Sequence, residues 1–118
     1  MQNYLAIYIG TAEARERSQW DQLDEDARSA REAEGMNAWM QWGAKNAAAI
    51  VELGTPLGRT KRVSRQGIED IKNHMVAYVI VRAESHEAAA KLFEGHPHFT
   101  IFPGDSVEIM ECLPLPGR

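Results

Sequence analysis

The strongest strand pattern in the chain is Met75-Val76-Ala77-Tyr78-Val79-Ile80-Val81, an unbroken apolar run rich in β-branched residues. Such a run is typical of a strand that is covered on both faces. A second run, Tyr4-Leu5-Ala6-Ile7-Tyr8-Ile9, has the same character and ends at Gly10. We therefore predict that these two segments lie at the centre of one sheet.

Two stretches of helical periodicity separate these strands. A capping-box pattern, Ser18 with Asp21 three residues on, predicts that a helix begins at Ser18. Gly35 is predicted to interrupt it. A second apolar stripe then runs from residue 36 to residue 50, and Gly54 is predicted to end it.

The rest of the chain completes a βαββαβ order. We predict a polar loop over 11–17, a weak edge strand over 57–63, a polar connection over 64–73, a helix capped by Ser85, a loop over 95–105 and a last strand over 107–113. This order is that of a ferredoxin-like α+β fold with a four-stranded antiparallel sheet. We predict one such domain over residues 1–118.

The central strands are apolar on both faces. Val76, Tyr78 and Ile80 alternate with Ala77, Val79 and Val81, so both faces of the sheet need cover. Helices cover one face, and a second copy of the chain is the simplest cover for the other. We predict a homodimer whose sheets pack face to face into an α+β barrel.

Composition excludes several classes of protein. Of the 118 residues, 44% are hydrophobic and 25% are charged, which is typical of a globular domain. The net charge of −4 argues against nucleic acid or an anionic membrane as a partner. A single cysteine, Cys112, cannot form an internal disulfide, and we find neither a signal peptide nor a membrane span, so we expect a cytoplasmic protein.

Several short motifs resemble the YCII-related domain family of the dimeric α+β barrel superfamily. They are the opening strand, Gly54-Thr55-Pro56-Leu57, Ser85-His86-Glu87-Ala88-Ala89 and His96-Pro97 with Gly104-Asp105-Ser106-Val107-Glu108-Ile109. The DGPF tetrapeptide of one branch is absent, since the chain reads Gln66-Gly67-Ile68-Glu69-Asp70. The resemblance implies a ferredoxin-like dimer with a site between helices and sheet.

The same resemblance implies a catalytic pair that this chain lacks. In some members a helix histidine pairs with an acidic residue that precedes a proline. Here His96 stands before Pro97, and Ala38 and Trp39 lie near the position expected for the helix histidine. The pair therefore does not carry over to this sequence.

The segment Gly95–Asp105 holds the candidate catalytic residues, His96, His98 and Asp105. If it is extended, both imidazoles point the same way, and Asp105 would orient one of them as a base. Alternatively, His98 hydrogen-bonds backbone and His96 caps the preceding helix. A metal held by two histidines and a carboxylate is a weaker alternative, and no metal site is predicted. Pro97 and Gly104 would fix the loop, with a positive φ expected at Gly104.

Four aromatic residues are predicted to line a small-molecule pocket: Trp39, Trp42, Tyr8 and Tyr78. A core role for the tryptophans is the alternative. No nucleotide, redox or hydrolase motif is present, so no cofactor is predicted. Two hypotheses follow, a cofactor-independent acid–base enzyme on a small aromatic or carbonyl compound, and a non-catalytic small-molecule binding or accessory dimer.

Overall fold

A computed structural model describes residues 1–117. The elements in chain order are β1 (Gln2–Ile9), α1 (Ala12–Ser18), a 3-10 turn (Trp20–Gln22), α2 (Glu25–Lys45), β2 (Ile50–Glu52), β3 (Thr60–Ser64), β4 (Gly67–Ile71), β5 (Met75–Ala83), α3 (His86–Lys91), α4 (Pro97–Thr100) and β6 (Ser106–Glu111).

The main sheet has four antiparallel strands in the order β2-β5-β1-β6. The predicted ferredoxin-like α+β fold is confirmed, and the two most apolar segments, β1 and β5, are its central strands. Their register pairs Tyr4 with Val81 and Tyr8 with Ala77. This register sets which side chains face the helices, because neighbours along a strand point to opposite faces.

The core lies between the sheet and the helices. Tyr4, Ala6 and Tyr8 of β1 are buried there. Against them pack Val79, Val81, Ala83, Ala89 and Phe93, with Trp39 and Trp42 of α2 partly buried at the margin. The centre of the opposite face is also apolar, since it carries Leu5, Ile7, Tyr78, Ile80 and Met110, all at least partly exposed, whereas Arg82 and Glu108 add charges to this face.

The first helices begin at other residues than predicted. The segment expected to be a loop is α1, which the Thr11 hydroxyl caps by accepting a hydrogen bond from the Ala14 N–H. Ser18 ends that helix rather than starting the next one. The carboxylate of Asp24 caps α2 by accepting from the Ala27 N–H.

Gly35 does not interrupt α2, which is continuous through it. Gly35 is buried, and a β-carbon there would lie 2.5 Å from Cε2 of Phe102. The glycine therefore serves close packing of the Phe102 ring on the helix rather than a break in the chain.

The weak, polar strand predicted over 57–63 is found in part, because β3 begins at Thr60, but it lies outside the main sheet. Ile50, expected on a helix, begins β2, one of the two edge strands of the main sheet. Residues 60–71 form a separate β3–β4 hairpin, so the expected polar connection contains a strand. The charges of this hairpin pair across it, Lys61 with Asp70 and Arg62 with Glu69.

Across residues 1–117, no helix has the length and apolarity needed to cross a membrane.

Candidate functional site

The two loop histidines lie at the start of a short helix, α4, so the condition of an extended segment is not met. Pro97 occupies the first turn of α4, where its missing N–H costs nothing. His96 caps this helix, because its Nδ1 accepts a hydrogen bond from the backbone N–H of His98 at 3.0 Å. His96 therefore caps α4, not the preceding helix.

Both imidazoles are buried, with exposed fractions of 1% for His96 and 6% for His98. His98 Nε2 lies 2.8 Å from the carbonyl oxygen of Ile9, and because a carbonyl only accepts, Nε2–H donates. The backbone N–H of Asp105 donates to the same oxygen at 2.9 Å. These two bonds hold α4 and the following loop against the end of β1.

Gly104 is needed for space rather than for backbone freedom. The positive φ predicted there is wrong, because the positive-φ glycines among residues 1–117 are Gly54, Gly67, Gly95 and Gly117. A β-carbon on Gly104 would overlap the imidazole of His98. The absence of a side chain at 104 thus lets the His98 ring reach Ile9.

The carboxylate of Asp105 forms its hydrogen bonds with residues other than the two histidines. Its carboxylate accepts hydrogen bonds from the Arg17 guanidinium at 3.2 Å and from the Ser106 hydroxyl at 2.8 Å. Among the described residues it makes no hydrogen bond to an imidazole. Burial lowers the pKa of His98, although hydrogen bonding to the backbone of Ile9 and the charge of Asp105 act in the opposite direction.

His96 lies inside an aromatic cluster. Its ring centroid is 4.6 Å from that of Trp39, 4.8 Å from Trp42 and 5.1 Å from Tyr8. Burial, followed by the nearby His98, lowers the pKa of His96 to about 4. A pKa this low means that the ring is uncharged and only weakly basic at neutral pH, which disfavours the predicted role of His96 as a base.

Tyr8, which the sequence predicts only as a pocket aromatic, is the polar neighbour of His96. Its hydroxyl oxygen lies 3.2 Å from His96 Nε2, a contact between residues 88 positions apart in the chain. Tyr8 is buried, and desolvation raises the pKa of its phenol. No local signal in the sequence could have paired these two residues.

A cavity of about 830 Å³ lies between α2 and the β2–β5 side of the sheet. Six residues with aromatic rings border it: Tyr8, Trp39, Trp42, Tyr78, His98 and Phe102. Methionine, small and aliphatic residues complete the wall, and none of the lining residues is Asp, Glu, Lys or Arg. The indole N–H of Trp42 donates to the Leu92 carbonyl at 2.7 Å, which fixes one side of the wall.

Tyr78 borders the same cavity but belongs to the other face of the sheet. In the register, Tyr78 pairs with Ile7, whereas Tyr8 pairs with Ala77, so the two tyrosines point to opposite faces. The Tyr78 hydroxyl donates to the Glu52 carboxylate at 2.6 Å. Of the four predicted pocket aromatics, the structure brings Tyr8, Trp39 and Trp42 together around His96. Tyr78 also borders the cavity, but its hydroxyl is bound to Glu52.

The residues that the structure describes contain no group of three or more His, Cys, Asp or Glu side chains that could hold a metal ion. His96, His98 and Asp105 do not form such a group, and both ring nitrogens of His96 already have protein partners.

Comparison with known proteins gives a fold relation. No family model matches the chain, and no curated protein is significantly similar to it in sequence. A solved structure from Burkholderia phenoliruptrix AC1100 is similar in fold, 5-chloro-2-hydroxyhydroquinone dehydrochlorinase in complex with 2,5-dihydroxybenzoquinone. The TM-score is 0.52 at 13% identity, over 91% of this chain and 89% of that one. At this identity the likeness shows the fold alone.

Proposed function

We propose that this protein binds a small, flat, uncharged aromatic or carbonyl compound in the cavity beside α2 and acts on it by proton transfer without a cofactor. The observation that carries the proposal is the cavity itself, whose wall is mostly aromatic and aliphatic and holds few polar groups. Pockets of this composition and size suit small organic molecules.

His98 is the proposed base. It borders the cavity, while its Nε2–H donates to the Ile9 carbonyl, so Nδ1 is the atom left to accept a proton. An imidazole that is neutral at pH 7 can take a proton from a carbon next to a carbonyl group, and the step needs no redox partner.

The similar fold supports the choice of substrate class. The dehydrochlorinase acts on a hydroquinone and was solved with a quinone, both small oxygenated rings. We extend this class to the present chain as a proposal, because Trp39, Trp42 and Phe102 would stack on such a ring. Membership of the YCII-related family belongs to the same proposal.

A homodimer is proposed on separate grounds. Leu5, Ile7, Ile80 and Met110 leave an apolar patch on the sheet face that no helix covers. Patches of this kind mark interaction sites, and a second copy would bury the same residues on both sides.

Binding without turnover is the alternative function. The observation that favours it is the engagement of Asp105 with Arg17 and Ser106, which leaves no carboxylate hydrogen-bonded to either imidazole in the described residues. An imidazole without an orienting carboxylate is a weaker base catalyst, but the absence of the carboxylate does not prevent the cavity from binding a ligand.

The test is a panel of aromatic ketones, hydroquinones and quinones, screened by thermal shift and then by chromatography for conversion. A Cys112→Ser background is used, because this exposed thiol would add to quinones. His98→Gln keeps an N–H at the distance of Nε2 but is not basic. Conversion lost with binding retained in His98→Gln supports the enzyme, and binding without conversion in the wild type supports the alternative.

A matched pair of variants tests where the ligand binds. Gly43 borders the cavity, and a β-carbon there meets nothing within 4 Å. Gly43→Phe should therefore fill the cavity and abolish binding. Ala44→Phe adds the same ring at an exposed neighbouring position and should leave binding unchanged. Equal affinities in both variants would place the ligand elsewhere.

A further inference from the structure

His96 uses both of its ring nitrogens inside the protein. Nδ1 faces the backbone N–H of His98 at 3.0 Å, and Nε2 faces the Tyr8 hydroxyl oxygen at 3.2 Å. The ring is enclosed by Trp39, Trp42 and Phe93, and its exposed fraction is 1%. No described carboxylate is hydrogen-bonded to it.

Counting protons fixes the direction of both hydrogen bonds. A backbone N–H can only donate, so Nδ1 of His96 must carry a lone pair. A neutral imidazole has one proton, which therefore lies on Nε2, and the burial that lowers the pKa of His96 keeps the ring neutral. Nε2–H then donates to the Tyr8 hydroxyl oxygen, which acts as the acceptor.

The count leaves the phenolic proton of Tyr8 without a partner. Within residues 1–117, the Tyr8 hydroxyl has His96 as its single hydrogen-bond neighbour, and that neighbour is a donor. A buried hydroxyl proton normally has an acceptor, because leaving it unpaired costs free energy. Since Tyr8 borders the cavity, the acceptor has to come from what occupies the cavity.

We infer that the Tyr8 hydroxyl is a hydrogen-bond donor to an oxygen atom of the ligand, and that His96 is a positioning residue that turns this donor toward the cavity. The inference rests on the proposed function and narrows the ligand to a compound with an acceptor oxygen, a carbonyl above all. An anion is disfavoured, because none of the lining residues is Lys or Arg to balance it. A hydrocarbon of the same shape would leave the Tyr8 proton unpaired.

Two probe ligands isolate this hydrogen bond. Acetophenone and α-methylstyrene share one shape, but the carbonyl oxygen of the first is a methylene group in the second. The measured quantity is the ratio of their dissociation constants, determined by calorimetry or by quenching of tryptophan fluorescence. Tyr8→Phe should reduce the preference for acetophenone about three- to ten-fold relative to wild type, the range of one neutral hydrogen bond. Its affinity for α-methylstyrene should be at least that of the wild type, because no buried hydroxyl proton is then left unpaired, and this binding also shows that the variant is folded.

Two substitutions of His96 separate its roles. The amide of glutamine stands as many bonds from Cα as Nε2 does, so His96→Gln can still donate to Tyr8. The amide of asparagine stands at the level of Nδ1, so His96→Asn can cap α4 but cannot reach Tyr8. We expect His96→Gln to keep most of the preference for acetophenone and His96→Asn to lose it. If His96 had only a structural role, each variant would change the affinities for acetophenone and α-methylstyrene by the same factor.

The infrared carbonyl stretch of bound acetophenone gives a second measurement. It should move to lower frequency in the wild type and return toward its free position in Tyr8→Phe. An unchanged preference for acetophenone in Tyr8→Phe, with α-methylstyrene still bound, would overturn the inference and leave the proposed function standing. Failure of both probes to bind the wild type would overturn the proposed function and the inference with it.

Discussion

Gly104 lies directly against the imidazole of His98, so that a β-carbon at position 104 would overlap the ring. His98 in turn reaches the Ile9 carbonyl, and the backbone N–H of Gly104 donates to the His98 carbonyl at 2.9 Å. The glycine and the histidine thus form one packed unit that joins α4 to the end of β1.

This contact predicts the effect of Gly104→Ala. The added methyl group displaces the His98 ring and breaks its hydrogen bond to Ile9, so we expect a loss of about 1–3 kcal/mol in the free energy of unfolding. Chemical denaturation measures it. Gly58→Ala is the control, because a β-carbon at 58 lies in open space at a φ that is not positive. Equal stability of the two variants would show that the contact is not tight.

Two glycines of α2 should respond to alanine in opposite directions. A β-carbon on Gly43 meets nothing within 4 Å, so Gly43→Ala should stabilise the protein by about 0.5–1 kcal/mol through helix propensity. A β-carbon on Gly35 would overlap the ring of Phe102, so Gly35→Ala should destabilise the protein despite the higher helix propensity of alanine. Thermal unfolding of both variants decides the matter, and stabilisation by both would contradict the packing of Phe102 on Gly35.

Stability should fall as the solution becomes acidic. Burial lowers the pKa of His96 from 6.5 to about 4 in the folded state, so the unfolded chain takes up a proton at this residue more readily. The contribution is complete above about pH 6.5 and is lost progressively as the pH falls to about 4, and the total loss of stability is on the order of 3 kcal/mol. His98 acts in the same direction.

Urea unfolding at several pH values between 7 and 4 measures this dependence. The comparison is with His96→Gln, which has no ionisable group at this position and should show a shallower decline. Parallel curves for the two proteins would mean that His96 is not desolvated as the structure has it.

The proposed dimer is tested on the open face of the sheet. Ile80→Lys places a charge in the middle of the apolar patch and should convert a dimer to a monomer, as measured by light scattering at micromolar concentration. Ile68→Lys changes a residue that is 72% exposed on the β3–β4 hairpin and should leave the dimer intact. A monomeric wild type would contradict the proposal.

A continuous apolar run is a strong signal for a buried strand. The sequence therefore predicts both β1 and β5 and their position at the centre of the sheet. The β3–β4 hairpin could not be placed in this way, because its strands are polar and are stabilised by pairing across the hairpin rather than by burial. The sequence predicts a break at Gly35, because a glycine that makes room for Phe102 has the same appearance in sequence as one that ends a helix.

The site was predictable only as a set of residue types. His96, His98, Trp39 and Trp42 were singled out, and the structure brings them together with Tyr8. The signal for α4 was present, since Pro97 suits the first turn of a helix. The hydrogen bond between Tyr8 and His96 was not predictable, because it depends on how β1 and α4 meet in three dimensions.

The central claim is that the cavity beside α2 binds a small aromatic carbonyl compound. The most direct measurement is a two-dimensional ¹H–¹⁵N spectrum of the tryptophan indole groups during titration with acetophenone. Trp39 and Trp42 border the cavity, whereas Trp20 does not, so the signals of the first two should shift and saturate together while that of Trp20 moves less. Indole signals of Trp39 and Trp42 that stay unchanged at saturating ligand would contradict the account.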